Sequence, residues 1–144
     1  MRKIFLCILA VNILFLSCSK SDLKIEKLTI VYSGNIGGKK NPCGCTPTMG
    51  GFARKSTVIK GLKSECENII VLDSGAMLYA TNFLSPPLDY IFRLDAYISA
   101  MAADKIGSDA VNVSSFDLSN SVDSLLAIDK VTSFPWLSSN LIWK

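Results

Sequence analysis

The run Ile69-Ile70-Val71-Leu72 constrains this chain more than any other segment. Four consecutive apolar residues without alternation suit a strand buried on both faces, and such strands belong to parallel sheets covered by helices. The flanking segments alternate in kind. Leu28–Tyr32 reads as a first strand, and Phe52–Ser64 as a helix with Phe52, Thr57 or Val58, Ile59 and Leu62 on its apolar side. After Pro86-Pro87 a long helix is expected over Leu88–Ile106, closed by Gly107. Its Leu88, Ile91, Phe92, Ile98, Met101, Ala102 and Ile106 form a stripe that we assign to the core. Asp109–Val113 reads as a third strand. A helix from about Leu118 to Lys130, capped by Asp117, and a fourth strand over Phe134–Leu141 complete the order, with Pro135 confining that end to an edge or start. The β-α-β-α-β-α-β order predicts an α/β fold with a mainly parallel sheet and flanking helices.

The N-terminus speaks to location. Met1-Arg2-Lys3 is basic and Ile4–Leu16 is apolar apart from Asn12, too short for the roughly 20 residues of a membrane span. Residues 1–17 read as a signal peptide. Phe15-Leu16-Ser17-Cys18 resembles a bacterial lipobox, so Cys18 is the expected lipidation site and residues 18–27 a tether. The alternative is an ordinary signal peptide in which Cys18 is only a small residue near the cut. The expected place is the cell envelope, on an extracytoplasmic face (periplasm or cell surface), with the membrane as a partner through the anchor. Removing residues 1–17 from 144 leaves 127, and losing Arg2 and Lys3 takes the side-chain charge from +3 to +1. That balance gives no basis for a nucleic-acid partner. Residues 28–144 suffice for one domain.

The chain contains no histidine, which removes the side chain most often used for metal binding or proton transfer. At the expected end of the first strand lie Ser33-Gly34-Asn35-Ile36-Gly37-Gly38, then Pro42-Cys43-Gly44-Cys45 and Gly50-Gly51-Phe52-Ala53-Arg54-Lys55. Functional loops of α/β folds sit at strand carboxyl ends, so both the glycines and the cysteine pair fall where chemistry is placed.

Those last two segments resemble a bacterial branch of the 5′-nucleotidase and UDP-sugar hydrolase metallophosphatases. The resemblance runs from Leu28 to about Leu141, through Val71-Leu72-Asp73-Ser74-Gly75, Asp109–Val113, Phe116-Asp117-Leu118 and Ser139-Asn140. It implies the N-terminal half of a calcineurin-like metallophosphoesterase sandwich and a two-metal hydrolase. Every ligand position departs from that implication. Asn35 and Gly37 stand where the first motif has Asp and His, and Ala76 stands at the metal-bridging Asp. Val113-Ser114-Ser115-Phe116 replaces Gly-Asn-His-Glu. A two-metal phosphatase clamps attacking and leaving oxygens with both ions, so we expect a degenerate site with no confident catalytic residue. No cofactor is expected; divalent metal enters only under the alternative of a hydrolase with atypical ligands.

The remaining chemistry is the thiols. Cys43 and Cys45 are expected on an exposed loop, with Lys39, Lys40 and Arg54 lowering a thiol pKa. Such a pair can exchange disulfides or hold a soft metal. Alternatively one of them pairs with Cys66 as a staple, or the two close a strained ring. Gly34, Gly37 and Gly38 read as a plain turn rather than a phosphate cradle, Asp73 as a turn-holding carboxylate, and Asp95 as solvated or paired with Arg93 or Lys105. The sequence ends at Lys144 directly after a strand. A protein partner on that open edge is one expectation, and a truncated domain that continues further is the other.

Overall fold

The computed structural model describes residues 27–84 and 86–142; the expected signal peptide, Cys18, most of the expected tether and Trp143 lie outside them. Four strands form one sheet: β1 (Thr29–Ser33), β2 (Ile69–Asp73), β3 (Ala110–Asn112) and β4 (Trp136–Leu137). They lie in sequence order, and every neighbouring pair is parallel. The register sets Ser33 against Asp73 and Asp73 against Val111, which aligns the carboxyl ends of β1–β3.

Helices α1 (Phe52–Glu65), α2 (Asp89–Ile106) and α3 (Val122–Asp129) supply the three crossovers. Parallel crossovers in one sheet are right-handed, so connections that step always in one direction put their helices on one face. Contacts of α1 with α2 and of α2 with α3 agree with a single helical layer. Val71, Asp73 and Val111 point into that layer and are buried. Their neighbours Ile70 and Leu72 are only half-buried, while Ile30, Tyr32 and Leu137 are exposed. The expected two-sided burial of β2 is therefore not what the described residues show: no described helix covers the second face.

The core under the helices has two parts. Phe52, Ile59, Val71 and Ile106 pack between β1, β2, α1 and α2. Met77, Leu78, Tyr79, Ala96, Ala100, Ala103, Val111, Leu125, Ile128 and Phe134 fill the space toward β4. No described helix is long and apolar enough to cross a membrane.

Three sequence expectations need correcting. In α2 the inward residues are the small ones, Ala96, Ser99, Ala100 and Ala103 with Ile106, whereas Leu88, Ile91, Ile98 and Met101 are exposed. Small residues win the inner face because they let the helix backbone approach the sheet closely. In the following crossover the helix starts at Val122, capped by Ser121, whose Oγ accepts the Ser124 N–H at 3.0 Å. Asp117 is instead a buried acceptor of loop amides. The last strand stops at Leu137 because the next residues bond locally: Ser138 Oγ donates to Asn140 Oδ1 and accepts the Leu141 N–H. Trp136 in that strand is half-buried, with Nε1–H on Thr132 Oγ1 at 3.2 Å and its ring 5.5 Å from Phe134.

Candidate functional site

The loops after β1 and β2 run side by side. Asn35 N–H donates to the Gly75 carbonyl at 2.9 Å, Gly37 N–H to that of Ala76 at 2.7 Å, and Gly38 N–H to that of Met77 at 2.9 Å. The structure thus brings the sequence-predicted positions Asn35, Gly37 and Ala76 together. It also consumes the Gly37 and Gly38 amides, which supports the plain-turn reading over a phosphate cradle. Asn35 and Ala76 share an unusual backbone: both are left-handed, with φ of 56° and 54°. Alanine has no side-chain bond to offset that conformation, which costs on the order of 1–2 kcal/mol.

Beneath this loop pair lies a second constellation. Asp73 Oδ1 accepts the Gly75 N–H at 3.0 Å, which is the turn-holding role expected of it. Its Oδ2 accepts the Ser33 hydroxyl at 2.6 Å and faces Lys55 Nζ at 3.3 Å. Lys55 also donates to Ser33 Oγ at 2.6 Å. Helix α1 delivers this ammonium from its first turn to a carboxylate whose side chain is 1% exposed. Nothing in the sequence pattern pairs Lys55 with Asp73, since they come from different elements and meet only because α1 packs against β1 and β2.

Asp117 is the other anchor missed in the sequence. Its Oδ2 accepts from Ala76 N at 2.8 Å and from Ser114 N and Oγ at 2.9 and 2.7 Å. Its Oδ1 takes the amides of Met77 and Leu78, both at 2.9 Å. Successive backbone N–H groups in such a turn form an anion nest, and here the chain fills it with its own carboxylate.

The cysteine loop stands beside these turns. Gly51, at φ 84°, opens α1 where an added Cβ would lie 2.8 Å from Pro42 N, so only glycine lets the loop pass this close to the helix start. Phe52 N–H reaches back to the Lys40 carbonyl at 3.1 Å, and Cys43 N–H donates to the Met49 carbonyl at 2.8 Å. Cys43, Cys45 and Cys66 are all free thiols, the first two exposed. The staple to Cys66 is not formed. Cys66 follows the far end of the 14-residue α1, roughly 20 Å of helix from the loop at its start, well beyond disulfide reach.

Cys43 is lowered to about 7 from an ordinary 9.0, first because Cys45 hydrogen-bonds to it and then because backbone N–H groups, led by Met49, do so. The same bond raises Cys45. The expected cause, nearby cations, is not the operative one. Lys40 is paired with Asp95, and Arg54 donates to the Thr48 carbonyl. This also corrects Asp95, whose partner is Lys40 rather than Arg93 or Lys105; Arg93 holds Asp89 at 2.9 Å. Between the end of β1 and the start of α1 a cleft of about 320 Å³ is lined by Ser33, Ile36, Phe52 and the basic Lys39, Arg54 and Lys55.

The resemblance implies a pair of divalent ions, and the residues present do not fit one. Asn35 offers an amide, Gly37 and Ala76 no donor, and among the described residues no three of His, Cys, Asp or Glu gather at a point. The nearest carboxylates, Asp73 and Asp117, are already bonded to Lys55 and to the loop amides.

No protein-family profile matches the sequence, and no curated protein matches it. Solved structures do match. The NAD nucleotidase NadN of Haemophilus influenzae is similar over 78% of this chain and 20% of its own, at 16% identity and TM-score 0.64. The 5′-nucleotidase precursor of Thermus thermophilus is similar over 78% and 22%, at 18% identity and TM-score 0.66. The calcineurin-like phosphoesterase YfkN of Bacillus subtilis is similar over 76% and 36%, at 16% identity and TM-score 0.56. The chain therefore spans between a fifth and about a third of these proteins' length. Parallel four-stranded sheet, one helical layer and these likenesses together give the described chain the fold of a metallophosphatase-like half-domain.

Proposed function

We propose that this chain is the metallophosphatase-like part of a lipid-anchored envelope protein in which phosphoester chemistry is lost and the working groups are the thiols of Cys43 and Cys45. Cys18 carries the anchor, and the domain binds or scaffolds partners at the extracytoplasmic face. One such partner, a protein, covers the open edge at β4. The observation that carries the reading is a contrast within one cluster of loops. The metal-ligand positions Asn35, Gly37 and Ala76 hold no carboxylate or imidazole, whereas the adjoining loop presents two exposed free thiols, one hydrogen-bonded to the other.

The chemistry follows from the asymmetry of the pair. A thiol with a pKa near ambient pH is the best attacking group in disulfide exchange, so Cys43 is the entry thiol. Its thiolate attacks a partner disulfide, forming a Cys43–partner bond and releasing one partner thiolate. Cys45 gives up its proton and attacks Cys43 Sγ, releasing the second partner thiolate and closing a Cys43–Cys45 disulfide. Two electrons pass to the partner disulfide. A ring closed across one intervening residue is strained, so the disulfide that forms is easily reduced and the last step is reversible.

Intact mass spectrometry of thiol-blocked protein, made in its native membrane and measured before and after reduction, tests this. Two further blocked thiols after reduction, mapped to Cys43 and Cys45, are the expected result, together with lipid mass on Cys18. A Cys43 or Cys45 bridge to Cys66, or a pair that is never oxidised, overturns the thiol role. The fold likeness favours one competing reading, a nucleotidase-type phosphoester hydrolase with atypical ligands. Two bound Mn²⁺ or Zn²⁺ ions with turnover of a generic phosphoester would establish it; zero metal and zero turnover would remove it.

A further inference from the structure

Helix α2 has two apolar faces, and only one is used. Its small residues Ala96, Ala100 and Ala103 lie against the sheet. On the opposite side Tyr90, Ile91, Leu94, Tyr97, Ile98 and Met101 are between 38% and 73% exposed. Spacings of three, four and seven residues set these six on one continuous stripe. A contiguous exposed apolar stripe of this size marks a contact surface.

We infer that the occupant is a second copy of this chain, docked antiparallel through α2. Three observations favour it. First, charge: the side chains flanking the stripe are satisfied within the chain, Arg93 on Asp89 at 2.9 Å and Asp104 on Ser133 at 2.7 and 2.5 Å. The acidic Asp95 is likewise held by Lys40. The stripe itself carries one charge, Lys105, exposed one turn beyond Met101. A bilayer surface rewards clustered basic residues, which this face lacks. Second, self-complementarity: an antiparallel pairing centred between Tyr97 and Ile98 sets Leu94 against Met101 of the second copy. It sets Lys105 against Tyr90, where a cation meets an aromatic face. Each contact occurs twice, as a two-fold interface requires. Third, area: with Tyr rings presenting 150–250 Å² when fully open, the stripe offers about 600 Å² a side, near the lower bound of roughly 1,200 Å² in total for a specific interface.

The register gives a decisive test on the full-length chain, solubilised from membranes in mild detergent and sized by sedimentation. Wild type is expected to be a dimer. Leu94→Lys places two cations beside two methionines and should weaken dimerisation by more than about tenfold. Because Leu94 is outward, the circular dichroism spectrum should not change. Leu94→Lys combined with Met101→Glu in the same chain should restore the dimer, since Lys then faces Glu in both symmetry-related contacts. Met101→Glu alone repeats the test if Leu94→Lys does not fold. A monomeric wild type overturns the proposal, as does a dimer indifferent to Leu94→Lys or a double variant no better than the single ones. Photo-crosslinking from position 94 to another protein or to lipid would likewise overturn it, by assigning the stripe to a different occupant.

Discussion

Asp117 Oδ2 accepts the backbone N–H of Ala76 at 2.8 Å across forty-one residues of sequence. One buried carboxylate thereby fixes the loop after β2 to the loop after β3, through the Met77, Leu78 and Ser114 amides as well. Replacing it with alanine strands several buried donors at once, each worth about 1–3 kcal/mol when unpaired. Asp117→Ala should lose at least about 3 kcal/mol in urea unfolding, with Asp117→Asn losing less because its remaining oxygen still accepts. A loss under about 1 kcal/mol would show the nest to be unimportant.

Gly75 sits at φ 99°, and a Cβ there would lie 2.8 Å from the Asn112 carbonyl oxygen. Strain and collision act together, so Gly75→Ala should lower stability by about 2–3 kcal/mol. Gly44, with nothing within 4 Å of the same atom, is the control; Gly44→Ala should change the melting temperature little.

Lys55 and Asp73 form a nearly enclosed ion pair. Removing the cation alone leaves a buried carboxylate without its counter-charge, a cost of about 3–5 kcal/mol. Lys55→Met should therefore be strongly destabilising, and Lys55→Met with Asp73→Asn should recover much of that loss. A double-mutant cycle measures the coupling; additive losses would mean that the pair does not act as a unit.

The thiol asymmetry has a pH signature. Cys43 should react with iodoacetamide at a rate rising through pH about 7, while Cys45 lags to higher pH. As a depressed acid, Cys43 is thiolate above that value and returns to unreactive thiol below it. Cys45→Ala removes the leading cause, so the Cys43 midpoint should move up toward 9.0. A midpoint unmoved in that variant would assign the shift to the backbone N–H groups alone.

Strand identity and parallel order were legible because β1 and β2 are dense in β-branched residues and the crossovers carry helical spacing. The inward face of α2 was not. Period alone finds apolar positions, and where alanines and large residues both qualify, only the closeness of helix to sheet decides. Asp117 read as a cap because it precedes an apolar run; Ser121 does that work, and the burial of Asp117 depends on a turn forty residues earlier. The loops that carry Asn35, Gly37 and Ala76 lie side by side in the structure. Asp117, which holds the Ala76 amide, and Lys55, which pairs with Asp73, come from other elements and leave no local mark in the sequence.

The ammonium of Lys55 is covalently part of the chain, so the counter-charge of Asp73 can be neither washed out nor exchanged. Chelators and dialysis should leave that corner of the sheet untouched, and no change in the surrounding ions would reach it. A corner neutralised in this way is permanently set. Whatever responsiveness the protein has to its surroundings belongs to groups that exchange with solvent, and at this end of the sheet the exposed thiols of Cys43 and Cys45 are such groups.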